Sequence, residues 1–410
     1  MRDSSGTITA QRLASIKPSP SISAKARVDA LRAEGRKIID FTVGEPDLAT
    51  PSHIVAAGAQ ALANGHTRYT GPAGTPQLRQ AIAGKLACEN GLSYDAAQIV
   101  VGSGAKQIIF NALAASLNEG DEVVIPAPYW VSYPDMVALC GGVPVVVPAG
   151  QAQHFKLTAA QLAAAITPRT RWVVLNTPNN PTGAVYSHEE LRALCDVLLR
   201  HPHVWLMTDE IYEHFVYGGV RHVSPQQVEP ALRERMLLVN GFSKAYAMTG
   251  WRIGYGAGPR ELVKAITLLI TQSTTCPNAA AQAAAVAALQ GPQQCVAEAA
   301  QLFGQRRERL VRGLNQVPGV RCDNPQGAFY VFPHVGGLIG AVTSQGQRLQ
   351  TDLDVAAYFL EAAGVALMDG TSYGMSPYLR LSFATSLETI DEGCQAMAHA
   401  AQALELAPAA

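Results

Sequence analysis

The sequence predicts an α/β protein: a mostly parallel sheet covered by helices on both faces, with a second, smaller α+β portion. Three observations carry this expectation. From about residue 98 onward, short apolar and β-branched runs alternate with stretches of helical spacing, the pattern of buried strands joined by crossover helices. After Asn278, Ala-rich helical segments dominate, and a further mixture of elements fills the C-terminal third. Finally, 410 residues exceed one ordinary core, so about two to three domains are expected.

The elements follow in order. The first twenty or so residues are Ser/Thr-rich and expected to be mobile. Residues 24–34 read as a helix stopped by Gly35, and residues 37–43 as a short strand leading into a turn, Gly44-Glu45-Pro46-Asp47. A strand is predicted over 98–101, broken by Gly102-Ser103-Gly104, with an amphipathic helix over 105–117. Residues 121–125, 143–147 and 172–175 are strand-like, the last opening into a loop over 176–183. Residues 187–199 have helical spacing, and Ser187 followed three residues later by Glu190 is a capping box. Residues 204–208 and 236–239 are again strand-like. There is no internal repeat, low-complexity tract or clear interdomain linker.

Composition narrows the function. Hydrophobic residues make up 48% and charged residues 15%, which excludes a disordered chain. The formal net charge of −1 gives no global attraction to nucleic acid or anionic membrane, so a small-molecule site is the better expectation. The seven cysteines are scattered, with no CxxC pair; neither a disulfide framework nor a zinc site is expected, and a reducing cytoplasm fits. Residues 1–17 lack the apolar core of a signal peptide, and no apolar run approaches bilayer-spanning length.

Several segments carry chemistry. Lys244, in Asn240-Gly-Phe-Ser-Lys-Ala-Tyr-Ala-Met-Thr-Gly-Trp-Arg252, follows a predicted strand among small and apolar residues. A lysine there can be desolvated into a nucleophilic amine. Arg252, eight residues on, could meet a phosphate. Asp209, at the end of a buried strand, lies where ligands bind in α/β sheets. A carboxylate facing a pyridine nitrogen keeps it protonated and makes the ring an electron sink. Tyr212 could donate to a phenolate oxygen, and Asn179 and Asn180 offer donors in a proline-stiffened loop. Ser103-Gly104-Ala105-Lys106 opens a helix and offers backbone N–H groups to a phosphate. Tyr129-Trp130 could supply a flat face. Each has a bland counterpart: a surface lysine, a helix N-cap, a structural turn, a glycine needed for geometry, a core aromatic pair.

In combination, the loop Asn179-Asn180-Pro181-Thr182-Gly183, Asp209-Glu210-Ile211-Tyr212, and Ser243-Lys244 with Arg252 resemble class I aminotransferases of pyridoxal-phosphate (PLP) fold type I, in the bacterial aspartate/prephenate branch. The likeness runs from Ile16-Lys17-Pro18-Ser19 to Leu379-Arg380-Leu381-Ser382. It implies a large domain over 49–290 with a seven-stranded sheet, and a small domain from 1–48 and 291–410. It implies that Lys244 carries PLP as a Schiff base and later shuttles the proton, that Asp209 partners the pyridine nitrogen, and that Tyr212 and Asn180 partner the ring O3′. Trp130 resembles the stacking aromatic. Gly104, Ala105, Lys106, Ser243 and Arg252 resemble the surroundings of the phosphate, and Tyr69 the tyrosine that reaches the phosphate from the second subunit of a homodimer. Arg380 resembles the clamp on the substrate α-carboxylate, with Asn180, Trp130 and Gly44 nearby. Gly241 departs from the pattern, standing where some relatives carry another phosphate-binding serine.

In this branch Lys17 and Lys106 resemble residues that meet the distal carboxylate of a dicarboxylic substrate. They favour aspartate and glutamate as donors, with oxaloacetate and 2-oxoglutarate as acceptors, and permit prephenate. The alternatives are an aromatic or broad-range aminotransferase and a lyase or decarboxylase on the same fold. A PLP-sensing transcription regulator would need an appended basic helix-turn-helix, for which too few residues precede Lys17. No metal is expected.

Overall fold

The structure, a computed structural model, describes residues 8–405 apart from 15, 17 and 19, and the backbone only of Ser21. Lys17 and residues 1–7 of the N-terminal stretch expected to be mobile lie outside the described residues; Gln11–Leu13 of that stretch forms a 3-10 turn.

The seven-stranded sheet is formed by β1 (Ile99–Gly102), β2 (Glu122–Ala127), β3 (Val143–Pro148), β4 (Thr170–Asn176), β5 (Trp205–Asp209), β6 (Met236–Gly241) and β7 (Gly254–Ala257). Their spatial order is β1-β7-β6-β5-β4-β2-β3. Every pairing is parallel except the two made by β7. Alternate strand residues feed two cores. Val101, Val124, Val173, Leu206 and Leu238 lie in one; Val100, Val123, Val174, Met207 and Leu237 lie in the other. Burial on both faces explains why these strands read as continuous apolar runs.

β7 was not legible as a strand. Its Gly-Tyr-Gly-Ala sequence has poor β-propensity, yet glycine is required. A Cβ on Gly254 would come within 2.4 Å of the Ala105 amide nitrogen, so the helix Ala105–Ser116 can sit tight against this strand only because the side chain is missing. The predicted strand over 37–43 is a correction of another kind. Regular pairing is confined to Ile39–Asp40, parallel to Val365–Ala366, because beyond it the chain turns into the pocket and its carbonyls are used by side chains.

The later part of the chain forms β8 (Tyr330–Val331), β9 (Met368–Asp369) and β10 (Leu379–Ser382), in the order β9-β10-β8. Its core joins Phe303, Leu310, Phe329, Phe359 and Leu381 to Phe41 and Tyr212. The helix His188–Arg200 has the capping box expected of Ser187 and Glu190.

A buried polar network holds the chain just past β5. Glu213 accepts from Lys85, Asn90 (2.7 Å) and Asn240 (2.7 Å). Glu210 accepts from Thr208 (3.0 Å) and Ser224 (2.7 Å) and pairs with His222 (2.9 Å). The Lys85 ammonium and its hydrogen bonds hold Glu213 ionised, well below the usual carboxylate range, against the opposing cost of burial. All seven cysteines are unpaired, and no helix among the described residues is long and apolar enough to cross a membrane.

Candidate active site

The carboxyl ends of β4, β5 and β6 open onto a pocket of about 470 Å³, where the strand direction of an open parallel sheet concentrates ligand-binding groups. Lining it are Gly44, Ala105, Lys106, Trp130, Asn180, Asp209, Tyr212, Ser243, Lys244, Arg252 and Arg380, which the sequence had placed in separate segments.

Lys244 sits in the tight turn after β6. Its Nζ donates to the Gly44 carbonyl at 2.5 Å and lies 5.6 Å and 5.8 Å from the ring centres of Phe329 and Tyr212. Burial is the largest influence and lowers its pKa to about 8, with Arg380 and Arg252 adding to the shift and Glu45 opposing it. An amine of this kind is partly unprotonated near neutrality and available for covalent chemistry. The turn carrying Gly44 is anchored by a bidentate Arg306–Asp47 pair (2.7 and 2.8 Å) and by Thr249 donating to Glu45 (2.7 Å).

Asp209 ends β5 and is buried. Desolvation raises its pKa to about 6, opposed by hydrogen bonds from the Tyr133 hydroxyl (2.7 Å) and the Ile211 amide (3.2 Å). Tyr212 shares a 2.9 Å hydroxyl contact with Tyr330. Arg380, on β10, donates to the Thr42 carbonyl (2.5 Å) and to Asn180 (3.4 Å), and lies over the Tyr330 ring at 4.6 Å. Its buried Nε has no hydrogen-bond partner among the described residues. A half-satisfied guanidinium at the pocket wall is ready to receive a carboxylate.

The helix Ala105–Ser116 starts at Gly104, whose φ of 84° favours glycine and which has no side-chain cap. The Arg252 guanidinium lies against Gly104, so close that a Cβ there would be 2.5 Å from it. Arg252 also donates to the Thr249 carbonyl (2.8 Å). An uncapped helix N-terminus beside an arginine is an anion seat. The glycine at 241 fits its surroundings: a Cβ would meet Gly254 at 3.1 Å and Ile211 at 3.2 Å, so a serine would crowd both. Lys106 reaches across Trp130, its Nζ 4.7 Å from the ring centre and 3.2 Å from the Ser132 hydroxyl. Burial, and secondarily Arg252, pull its pKa below the ordinary lysine value.

Tyr69 is not brought to this pocket within the chain: it is 85% exposed. The sequence reading missed Tyr133, Tyr330, Asn176, and the apolar Ile22 and Ile109, all of which line the pocket. Tyr133 lay three residues past Trp130, a helical spacing that could have flagged it; Tyr330 is embedded in an apolar strand and gave no signal.

These groups fit PLP: a buried carboxylate for a pyridinium nitrogen, an anion seat for a phosphate, a desolvated amine for an aldehyde and an open guanidinium for a carboxylate. The chain belongs to the class I and II aminotransferases, whose family model matches residues 36–397. Its cofactor is PLP, and its reaction class is transamination between amino acids and 2-oxo acids. Among individual proteins it is 51% identical over 395 residues to an aspartate aminotransferase of Rhizobium meliloti, covering 96% of each chain. It is also 51% identical over 382 residues to an aspartate/prephenate aminotransferase of Cereibacter sphaeroides, covering 93% of this chain and 96% of that one. The crystal structure of the aspartate aminotransferase from Rhizobium meliloti superposes with a TM-score of 0.95 at 50% identity, covering 98% of this chain and all of that one.

Proposed function

We propose that this enzyme transaminates dicarboxylic amino acids, aspartate and glutamate first, with oxaloacetate and 2-oxoglutarate as the matching acceptors. The observation that carries this reading is a further cation in the pocket besides Lys244, Arg252 and Arg380. Arg380 is the candidate clamp for the α-carboxylate, and the Lys106 ammonium, held over Trp130, is free of any carboxylate partner among the described residues. A distal carboxylate entering this pocket loses solvation, which a charged donor offsets. The relatives named for aspartate support the same reading.

The roles follow from position. When bound, PLP supplies an electrophilic carbon and an electron sink for the Cα–H bond electrons. Lys244 would hold the cofactor and, once released by the incoming amino group, move the proton at Cα. Asp209 would hold the ring nitrogen protonated; Tyr212 and Asn180 would donate to O3′. Gly104, Ala105, Lys106, Ser243 and Arg252 surround the proposed phosphate seat, and Trp130 would cover one ring face. Arg380, with Asn180, would fix the α-carboxylate and so orient the Cα–H bond. Tyr69, exposed here, would reach the phosphate of a second copy in a homodimer. We divide the chain into a large domain, 49–290, and a small domain from 1–48 and 291–410, so that Lys244 and Asp209 belong to one and Arg380 and Gly44 to the other. A cytoplasmic location suits the free cysteines.

Prephenate is a second reading. The apolar Ile22 and Ile109 at the pocket suit the ring that carries prephenate's second carboxylate, and one relative is named for both substrates.

The test is a single-turnover screen of amino acids against wild-type enzyme and Lys106→Ala. The variant should lose about 2–5 kcal/mol in kcat/KM for aspartate and glutamate and little for alanine or phenylalanine. Equal losses would assign Lys106 to the phosphate loop and favour an aromatic or broad-range enzyme. Release of CO2 or of a side chain in place of a 2-oxo acid would overturn transamination itself.

A further inference from the structure

Among the described residues the Asp209 carboxylate accepts from two donors, and one of them is a side chain with no role in the reading above. The Tyr133 hydroxyl lies 2.7 Å from Asp209 Oδ2, while the Ile211 amide, from the same strand end, lies 3.2 Å from Oδ1. Tyr133 is 2% exposed and Asp209 5%, so the bond is largely shielded from solvent. The direction of the bond is fixed as well. Burial and the neighbouring carboxylate both hold the Tyr133 phenol far above its usual pKa, so the phenol keeps its proton and donates.

Tyr133 is also built onto the same turn as Trp130. Its amide donates to the Trp130 carbonyl at 3.0 Å, and the two rings meet edge to face at 5.3 Å and 86°. Ser132, between them, holds Lys106. One turn of chain at the start of the helix Ser132–Leu139 thus carries the ring proposed to cover the cofactor and the donor that fixes its ring-nitrogen partner.

We propose that Tyr133 is a positioning residue that fixes the Asp209 carboxylate, in ionised form and in one orientation, toward the pyridine nitrogen. This rests on the reading of Asp209 as the partner of that nitrogen. A carboxylate in an apolar enclosure without a donor takes up a proton or rotates, and either change weakens its hold on a pyridinium. The pair is a second layer of support of the kind that locks functional groups in place.

The experiment measures equilibrium binding of two ligands to the cofactor-free full-length protein: PLP, and its analogue in which C–H replaces the ring nitrogen. The readout is the ratio of the two affinities, which a general loosening of the fold leaves unchanged. Wild-type protein should prefer PLP. Tyr133→Phe, which deletes one oxygen and keeps the ring, should cut that preference by about tenfold or more, as loss of a hydrogen bond to a charged group does. In an Asp209→Asn background the same substitution should change the ratio little, because the charge it supports is gone. The proposal is overturned if Tyr133→Phe keeps the wild-type ratio while Asp209→Asn loses it, or if Tyr133→Phe weakens both ligands equally. If Asp209→Asn itself keeps the ratio, the assignment of Asp209 fails first and takes the proposal with it.

Discussion

An ammonium group with one carbonyl and two aromatic rings for neighbours loses most of the solvation that keeps lysine protonated in water, and Lys244 is such a group. Its lowered pKa, about 8 against an ordinary 10.5, has a consequence for stability. Between those values the cofactor-free native state binds fewer protons than the unfolded chain, so native stability rises with pH through that window. Below about pH 8 the cost of the buried charge is present in full. Lys244→Met keeps the volume and removes the charge. It should stabilise the cofactor-free protein at pH 7 by roughly 2–3 kcal/mol, and the advantage should fade toward pH 10.5. Urea denaturation of the two proteins across pH measures it, and a gap that stays constant with pH would contradict the linkage. Asp209→Asn, at the other end of the proposed cofactor, should slow Cα deprotonation by about 3–4 kcal/mol, read by stopped-flow absorbance with deuterated substrate as the control for the proton step. Both side chains were visible in the sequence because Asp209 ends a buried strand and Lys244 closely follows one, the end of an α/β sheet where ligands bind. Tyr133 and Tyr330 were not, since their meaning lies in contacts with Asp209 and Arg380 made across the fold.

At the scale of elements, the strands were legible wherever burial on both faces made them uniformly apolar, as in β2, β4, β5 and β6. β7 escaped because its requirement is for absence of bulk. Gly254 lets the helix Ala105–Ser116 approach, and that helix start is the proposed phosphate seat. Gly254→Ala should therefore cost about 1–3 kcal/mol of stability through overpacking and weaken PLP binding by displacing Gly104 and Ala105. Wild-type affinity for PLP with unchanged stability would show that the strand can yield without moving the helix. The polar network past β5 makes a separate claim. Lys85→Met leaves Glu213 buried without its cation, a change that costs about 3–5 kcal/mol, and the paired change Lys85→Met with Glu213→Gln should recover part of that loss in denaturant unfolding.

Over the whole molecule, the sequence conveyed the α/β class and the order of the chemistry-bearing segments, but not how residues 200 to 338 positions apart close on one pocket. Lys244 meets the Gly44 carbonyl, and Arg380, on β10, meets Thr42 and Asn180; these contacts depend on distant segments meeting in the fold, which no local pattern encodes. Tyr69, exposed and not among the residues that line the pocket of its own chain, makes the proposed homodimer testable. Mixing Tyr69→Phe subunits with Lys244→Ala subunits should regenerate one wild-type site per mixed dimer and raise activity above that of either parent, and additive parental activities would argue against shared sites. The central claim is that Lys244 holds the cofactor in this pocket. Borohydride reduction of the PLP-loaded enzyme followed by peptide mapping tests it most directly. The account predicts the pyridoxyl group on Lys244, and its loss together with the visible absorbance band in Lys244→Ala; a pyridoxyl group on any other lysine would contradict it.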